Sequence, residues 1–118
     1  MSKERISIDE FGKIEVKVGT VRSAERVPDT DKLLRLTVDF GEVGADGAPR
    51  PRQIVSGINA YVSEPESLVN RQLAFVTNLE PRTIRGLESN GMLFAVGSGE
   101  SFAFLTPDRE VPPGTSAH

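Results

Sequence analysis

Apolar side chains recur at every second position along much of this chain, which is the period of a β-strand with one buried face. Ile14, Val16 and Val18 alternate, and the apolar phase then slips to Val21 across Gly19. That pattern predicts a long first strand bent by a β-bulge at the glycine. Leu34, Leu36, Val38 and Phe40 predict a second strand, with Lys32 at its entrance and Arg35 and Thr37 on the opposite face. Arg52–Ser56 reads as a short third strand, and the near-continuous apolar runs 72–77 and 91–96 as the fourth and fifth. Phe102 and Phe104 alternate in a sixth, shorter strand.

Between these runs lie turn and cap signals. Ser7 and Glu10 form an S-x-x-E capping box, with Ile6 placed to staple onto Phe11, so one helical turn opens the chain and Gly12 ends it. The residues Val27-Pro28-Asp29-Thr30-Asp31-Lys32 read as the turn after the first strand. The stretch 41–51, GEVGADGAPRP, reads as a mobile hairpin loop. Ser63-Glu64-Pro65-Glu66 repeats the capping-box signature with proline in the first turn, which predicts a short helix through about Val69. Gly97-Ser98-Gly99-Glu100-Ser101 reads as a hairpin turn, because the Gly-Lys-Ser/Thr ending of a phosphate loop is missing. Pro107, Pro112, Pro113 and Gly114 confine the tail to turns.

Three strands, a short helix, two strands and an extension give an all-β chain: a five-stranded OB-fold barrel with a short helix between strands three and four and a C-terminal β extension. Its 118 residues suit a single domain, with an N-terminal turn over 1–12 and the extension over 97–118. An OB-fold binds oligonucleotides on the face of strands two and three and with the loops joining strands one to two and four to five.

Charge narrows what such a barrel could hold. The net charge is −3, which counts against a protein that coats nucleic acid through bulk electrostatics and points to a local site. Lys13, Lys17, Arg22, Arg26, Lys32 and Arg35 cluster early in the chain, but Glu15, Glu25, Asp29 and Asp31 are interleaved with them. No apolar run approaches the ~20 residues that cross a bilayer, and the start lacks a secretory apolar region, so a cytoplasmic location is expected. There is no cysteine, and the only histidine, His118, is the last residue. Thiol chemistry and histidine-based acid–base catalysis are therefore both missing, and the chain reads as a non-enzyme without cofactor. Asp29 and Asp31 lack a third ligand and read as turn residues rather than a metal site. Tyr61 is the only tyrosine and there is no tryptophan, which weighs against a general single-strand binder that spreads bases over exposed aromatics.

The chemistry concentrates in residues 78–92, NLEPRTIRGLESNGM. Pro81 and Gly86 frame a shaped loop that carries Arg82 and Arg85 between two apolar strands, on the connection from strand four to strand five. Guanidinium forks match phosphate oxygens and base edges. Asn78 and Ser89 add neutral donors, and each also reads as a residue bracing the loop; Met92, opening an apolar run, reads by pattern as core. Lys32 falls on the other connection that an OB-fold turns toward its ligand.

Four ordered blocks carry a resemblance: F-x-K-I-E-V-K-V-G-T-V from Phe11, D-K-L-L-R-L-T-V-D from Asp31, R-Q-I-V-S-G-I from Arg52, and N-L-E-P-R-T-I-R-G-L-E-S-N-G-M from Asn78. The chain resembles the tRNA-binding domain found as free-standing bacterial tRNA-binding proteins and as the C-terminal appendix of methionyl-tRNA synthetases. The resemblance implies tRNA contact at Lys32, Asn78, Arg82, Arg85, Ser89 and Met92, with Ser56 in a signature strand. It implies shape-directed rather than sequence-directed binding, and a possible partnership with an aminoacyl-tRNA synthetase in trans. The chain ends soon after the barrel, which reads as free-standing. Free-standing relatives are homodimers, for which Ile6, Ile8, Phe102 and Phe104 are the candidate contacts. The alternative is a dimeric peptide-binding, secretion-associated chaperone on the same barrel. The insert at 41–51 and Val27, where relatives often carry histidine, depart from the pattern.

Overall fold

The computed structural model describes residues 2–118. Its strands are β1 (Val16–Arg26), β2 (Leu34–Asp39), β3 (Arg52–Ser56), β4 (Gln72–Val76), β5 (Arg82–Ile84), β6 (Leu87–Ser89), β7 (Met92–Leu93), β8 (Ala95–Val96), β9 (Ala103–Phe104) and β10 (Ser116–Ala117). One α-helical turn, α1 (Ile8–Phe11), precedes them. The main sheet runs β3-β2-β1-β4-β7, and β10 adds to the N-terminal end of β1. All pairings in this sheet are antiparallel.

The long strand β1 makes the barrel. Its first half pairs with β4, from Val16 opposite Val76 to Thr20 opposite Gln72, and its second half pairs with β2, from Thr20 opposite Asp39 to Arg26 opposite Leu34. A strand that changes partners along its length must bend. The register shift falls between Val21 and Ser23, beyond the glycine where the phase slip placed it. Gly19 keeps regular register opposite Leu73. Its role is to leave room, because a Cβ there would drive into the Val38 and Phe40 side chains; the glycine lets the sheet close over its own core.

That core takes one face of each strand. Leu34, Leu36 and Val38 of β2 meet Ile54 of β3 and Leu73 and Phe75 of β4, all completely excluded from solvent. Phe40 meets Phe75 edge-on, with ring centroids 5.4 Å apart. Each such side chain contributes about 1.5–3 kcal/mol by leaving water. Between β3 and β4, Ile58, Val62 and Leu68 add to the same cluster from two 3-10 turns, Asn59–Tyr61 and Pro65–Leu68.

Two helix expectations fared differently. The Ser7–Glu10 capping box forms, with the Ser7 hydroxyl accepting the Glu10 N–H at 3.0 Å. The Ser63 box does not form: the N-cap is Glu64 without a side-chain bond, and only a 3-10 turn follows. Ser63 instead offers its carbonyl to the Arg26 guanidinium at 2.8 Å.

The insert at 41–51 is a small hairpin with hydrogen bonds of its own. Val43 bridges Pro49, and Gly44 N–H donates to the Ala48 carbonyl at 2.9 Å. Arg52 clamps its base. Nε and Nη2 donate to the two Glu42 carboxylate oxygens, each at 2.8 Å, and Nη1 donates to the Thr77 carbonyl at 2.8 Å. This bidentate pair holds the Glu42 carboxyl below its ordinary range, and Arg52 correspondingly rises.

The apolar run 91–96 is two strands, not one. Leu93 pairs with Phe75 in the main sheet, whereas Ala95 and Val96 pair with Phe104 and Ala103 in a separate hairpin. The turn of that hairpin is the 3-10 segment Gly99–Ser101, so residues 97–101 form the turn that the sequence suggests. The tail departs from turns at its end, because Ser116 and Ala117 lie beyond the prolines and are free to pair with Lys17 and Val16.

Candidate nucleic-acid interface

The segment after β4 leaves the barrel as an arm. Residues 82–89 form a two-stranded hairpin, with Arg82 opposite Ser89, Thr83 opposite Glu88 and Ile84 opposite Leu87. Arg85 and Gly86 make its two-residue turn with φ of +51° and +79°. Positive φ at both central positions is the requirement of the type I′ turn, whose twist suits a tight hairpin. The loop inferred from Pro81 and Gly86 is thus a β-hairpin, and its tip residue is an arginine held in left-handed backbone.

Two side chains fasten this arm. Ser89 is 4% exposed, and its hydroxyl accepts the Val55 N–H of β3 at 3.0 Å. Beside it, Asn90 N–H donates to the Gln53 carbonyl at 2.8 Å and Gln53 Nε2 donates to the Glu88 carbonyl at 2.9 Å. These bonds join β3 to the arm's return strand. At the other root, Asn78 Oδ1 accepts the Glu15 N–H at 2.8 Å while its Nδ2 donates to the Lys13 carbonyl at 2.6 Å. Asn78 and Ser89 are therefore braces, their hydrogen-bonding atoms committed to the protein.

The cations stand free of such duties. Arg82 and Arg85 are exposed on the arm, and neither forms an ion pair among the described residues. Lys32, also exposed, lies on the β1–β2 connection, where its carbonyl accepts the Asn59 N–H at 3.0 Å. A cleft of about 340 Å³ brings Lys32 and Arg85 together, walled by Thr30, Asp31, Leu33 and Ile84. An adjoining cleft of about 330 Å³, which shares Leu33 and Ile84 with it, runs between Arg82, Ser56, Leu79 and Met92. Met92 is 44% exposed, so the pattern-based expectation of a core residue fails. It sits at the margin of the barrel on the two-residue strand β7, where a neighbour on only one side leaves it open.

The structure also brings in residues that the sequence did not single out. Arg35 and Glu25 face each other across β1 and β2 as an ion pair, and with Arg85 they line a further cleft of about 390 Å³. Arg35 was legible as an outward position on strand two and as one of the early cluster of cations, but not as a neighbour of the arm. The candidate dimer residues separate into two groups. Ile8 is 79% exposed and Ile6 is likewise open, whereas Phe102 stacks on Tyr61 at 4.1 Å and meets Phe104 edge-on at 5.2 Å. Both phenylalanines pack against the chain's own core. Phe94, whose N–H donates to the Ala74 carbonyl of β4, is exposed, and Phe40 is buried.

Among the described residues no group of three or more His, Cys, Asp or Glu side chains is gathered for a metal, and no helix is long and apolar enough to cross a membrane. What the site offers is an array of cationic donors on two connections of the barrel.

The family described as "Putative tRNA binding domain" matches residues 16–116, which takes in the barrel, the arm and the extension. The chain belongs to this tRNA-binding domain family. The curated relatives that it matches include methionine–tRNA ligases of Methanocorpusculum labreanum, 49% identical over 118 residues, and of Thermotoga maritima, 42% identical over 109 residues. The match covers 100% and 92% of this chain but 16% of each ligase, so the chain spans about one sixth of their length. Among solved structures, a MetRS related protein from Pyrococcus horikoshii superposes with a TM-score of 0.85 at 36% identity, covering 98% of this chain and 100% of that one. The chaperone CsaA from Bacillus anthracis superposes with a TM-score of 0.77 at 27% identity, covering 98% and 100%. The domain is thus similar to a segment of methionyl-tRNA synthetases and to small proteins of its own size.

Proposed function

We propose that this domain binds tRNA by shape rather than sequence, through Arg82, Arg85 and Lys32, and serves methionyl-tRNA synthetase in trans. It is a binding module rather than an enzyme, working in the cytoplasm. The observation that carries the reading is the convergence of Lys32 and Arg85 on one cleft between the two connections an OB-fold turns toward its ligand. Phosphates and 2′-hydroxyls on a folded RNA suit such an array, because guanidinium and ammonium donors position a backbone without reading bases. Asn78 and Ser89 act by holding the arm in place, and Met92 adds an apolar contact beside Arg82.

The likeness to CsaA sustains a second reading, a peptide-binding chaperone. The exposed Leu79 and Met92 beside Arg82 give it a specific feature, since peptide sites are apolar grooves. Titration of the protein with total tRNA, with linear RNA of equal length and with an unfolded apolar polypeptide separates the two. The tRNA reading expects preference for tRNA over linear RNA; equal affinity for both RNAs with tighter polypeptide binding would favour the chaperone.

A homodimer completes the proposal, with its contact on the N-terminal turn, where Ile6, Ile8 and Phe11 are open. Sedimentation equilibrium of the protein and of Ile8→Glu tests it: a dimer that the substitution dissociates is expected, and a monomer in both would remove it.

A further inference from the structure

We infer that Arg35 forms a second phosphodiester subsite with Arg85, carrying the RNA backbone from the arm onto the face of β1 and β2, and that Glu25 competes with the phosphate for Arg35. The inference rests on the RNA reading above and extends it to residues that reading does not use.

The argument starts from shared walls. Arg85 borders two clefts, one with Lys32 and Leu33 and the other with Arg35, Pro28 and Leu87. Arg85 is thus shared between a cleft that holds Lys32 and a cleft that holds Arg35. Pro28 and Leu87 give the second cleft low-polarity walls, which strengthen charge interactions inside it relative to open water.

Arg35 differs from the arm cations in having a partner. Its guanidinium Nη2 donates to Glu25 Oε1, directly opposite in the β1–β2 register. Both side chains remain partly open to solvent, 39% for Arg35 and 55% for Glu25. An exposed pair of this kind is weakly held and readily exchanged for a stronger bidentate acceptor such as a phosphodiester. Glu25 then stands beside the incoming anion and opposes it. Arg26 also borders the cleft, but its Nε donates to Asn59 Oδ1 at 3.1 Å and its Nη2 to the Ser63 carbonyl at 2.8 Å. That guanidinium is engaged in bracing, so Arg26 is left out of the subsite.

The test measures tRNA affinity across a salt series for the full chain and for Arg35→Ala, Arg35→Lys, Glu25→Gln and the Glu25→Gln/Arg35→Ala double variant, with Arg82→Ala/Arg85→Ala alongside. Arg35→Ala should weaken binding about fivefold and make the slope of log K against log salt shallower by about one unit, and Arg35→Lys should restore the slope. Glu25→Gln should tighten binding about threefold, and this gain should vanish without Arg35. Wild-type affinity in Arg35→Ala, with binding lost in the arm variant, overturns this inference and leaves the arm reading intact. Wild-type affinity in both overturns the arm reading as well. A gain from Glu25→Gln that persists without Arg35 refutes the competition between them. Inorganic phosphate is the control for a free anion: displacement of tRNA by millimolar phosphate in the wild type but not in Arg35→Ala would reassign the cleft to small anions, and no displacement supports a polymer site.

Discussion

The Ser89 hydroxyl accepts the Val55 N–H at 3.0 Å inside the protein, so a side chain on the return strand of the arm takes the place of a ladder bond on β3. With the Gln53 bonds to Glu88 and Asn90, this contact couples the stability of the barrel to the aim of the arginine hairpin. Replacing Ser89 by Ala leaves the Val55 N–H without an acceptor, which costs about 1–3 kcal/mol. Urea denaturation should show that loss at unchanged m-value, and tRNA affinity should fall modestly although no cation is removed. Unchanged stability would mean that water or the neighbouring Gly91 carbonyl replaces the hydroxyl.

Arg85 offers a way to separate folding from binding. It holds φ of +51°, a conformation that Asn adopts more readily than a long side chain. Arg85→Asn should keep or raise stability, by up to about 0.5 kcal/mol, while weakening tRNA binding severalfold. A thermal melt and a binding titration on the same sample check both. Parallel loss of stability and binding would make Arg85 structural rather than a contact.

The strands were largely legible because one face of each is buried, and alternation reports burial directly: Leu34, Leu36 and Val38 lie in the core as their spacing requires. Partner exchange leaves no such trace. The run 91–96 looks like one strand because both halves are apolar, yet Leu93 pairs with β4 and Ala95 with β9. The hairpin of the arm was hidden because Arg-Gly stands where Asn-Gly would announce a type I′ turn. Gly19 misled in the same way, since sequence cannot distinguish a glycine needed for a bulge from one needed for room. In the site, the arginines of the arm were readable from Pro and Gly framing, but the junction of Arg35 with Arg85 depends on long-range β1–β2 register and on the fold of the arm.

Acid should act on the clamp beneath the insert. Arg52 hydrogen-bonds lower the Glu42 carboxyl, and the Gly41 N–H together with Arg22 lowers Asp39. Carboxyls lowered in the folded state contribute stability that is fully present above their ordinary values, 4.5 for Glu42 and 3.8 for Asp39, and is lost as pH falls through the folded values. Glu42→Gln should therefore be less stable than wild type at pH 7, and the gap should narrow as pH drops toward 3. Urea midpoints at pH 7, 5 and 3 measure it; a constant gap would show that Glu42 contributes by packing alone.

Asn78 ties the arm's outgoing strand to the start of β1 through Glu15 and Lys13. Asn78→Asp keeps the acceptor but removes the donor and adds charge beside the arm. Both Asn78→Asp and Asn78→Ala should lower stability, by about 1 kcal/mol or more, and Asn78→Asp should weaken tRNA binding further than Asn78→Ala does. Equal effects of the two variants on affinity would mean that the carboxylate is too far from the bound phosphates to matter.

The most direct test of contact between the arm and a polyanion is the salt dependence of tRNA binding for the wild-type chain and for Arg82→Ala/Arg85→Ala. Each neutralised phosphate contributes about −0.7 to −0.9 to the slope of log K against log salt, so removing two contacting arginines should flatten the slope by about 1.5 units as affinity falls. A variant that loses affinity with the wild-type slope, or binds as the wild type does, would contradict the account and place the RNA elsewhere on the barrel.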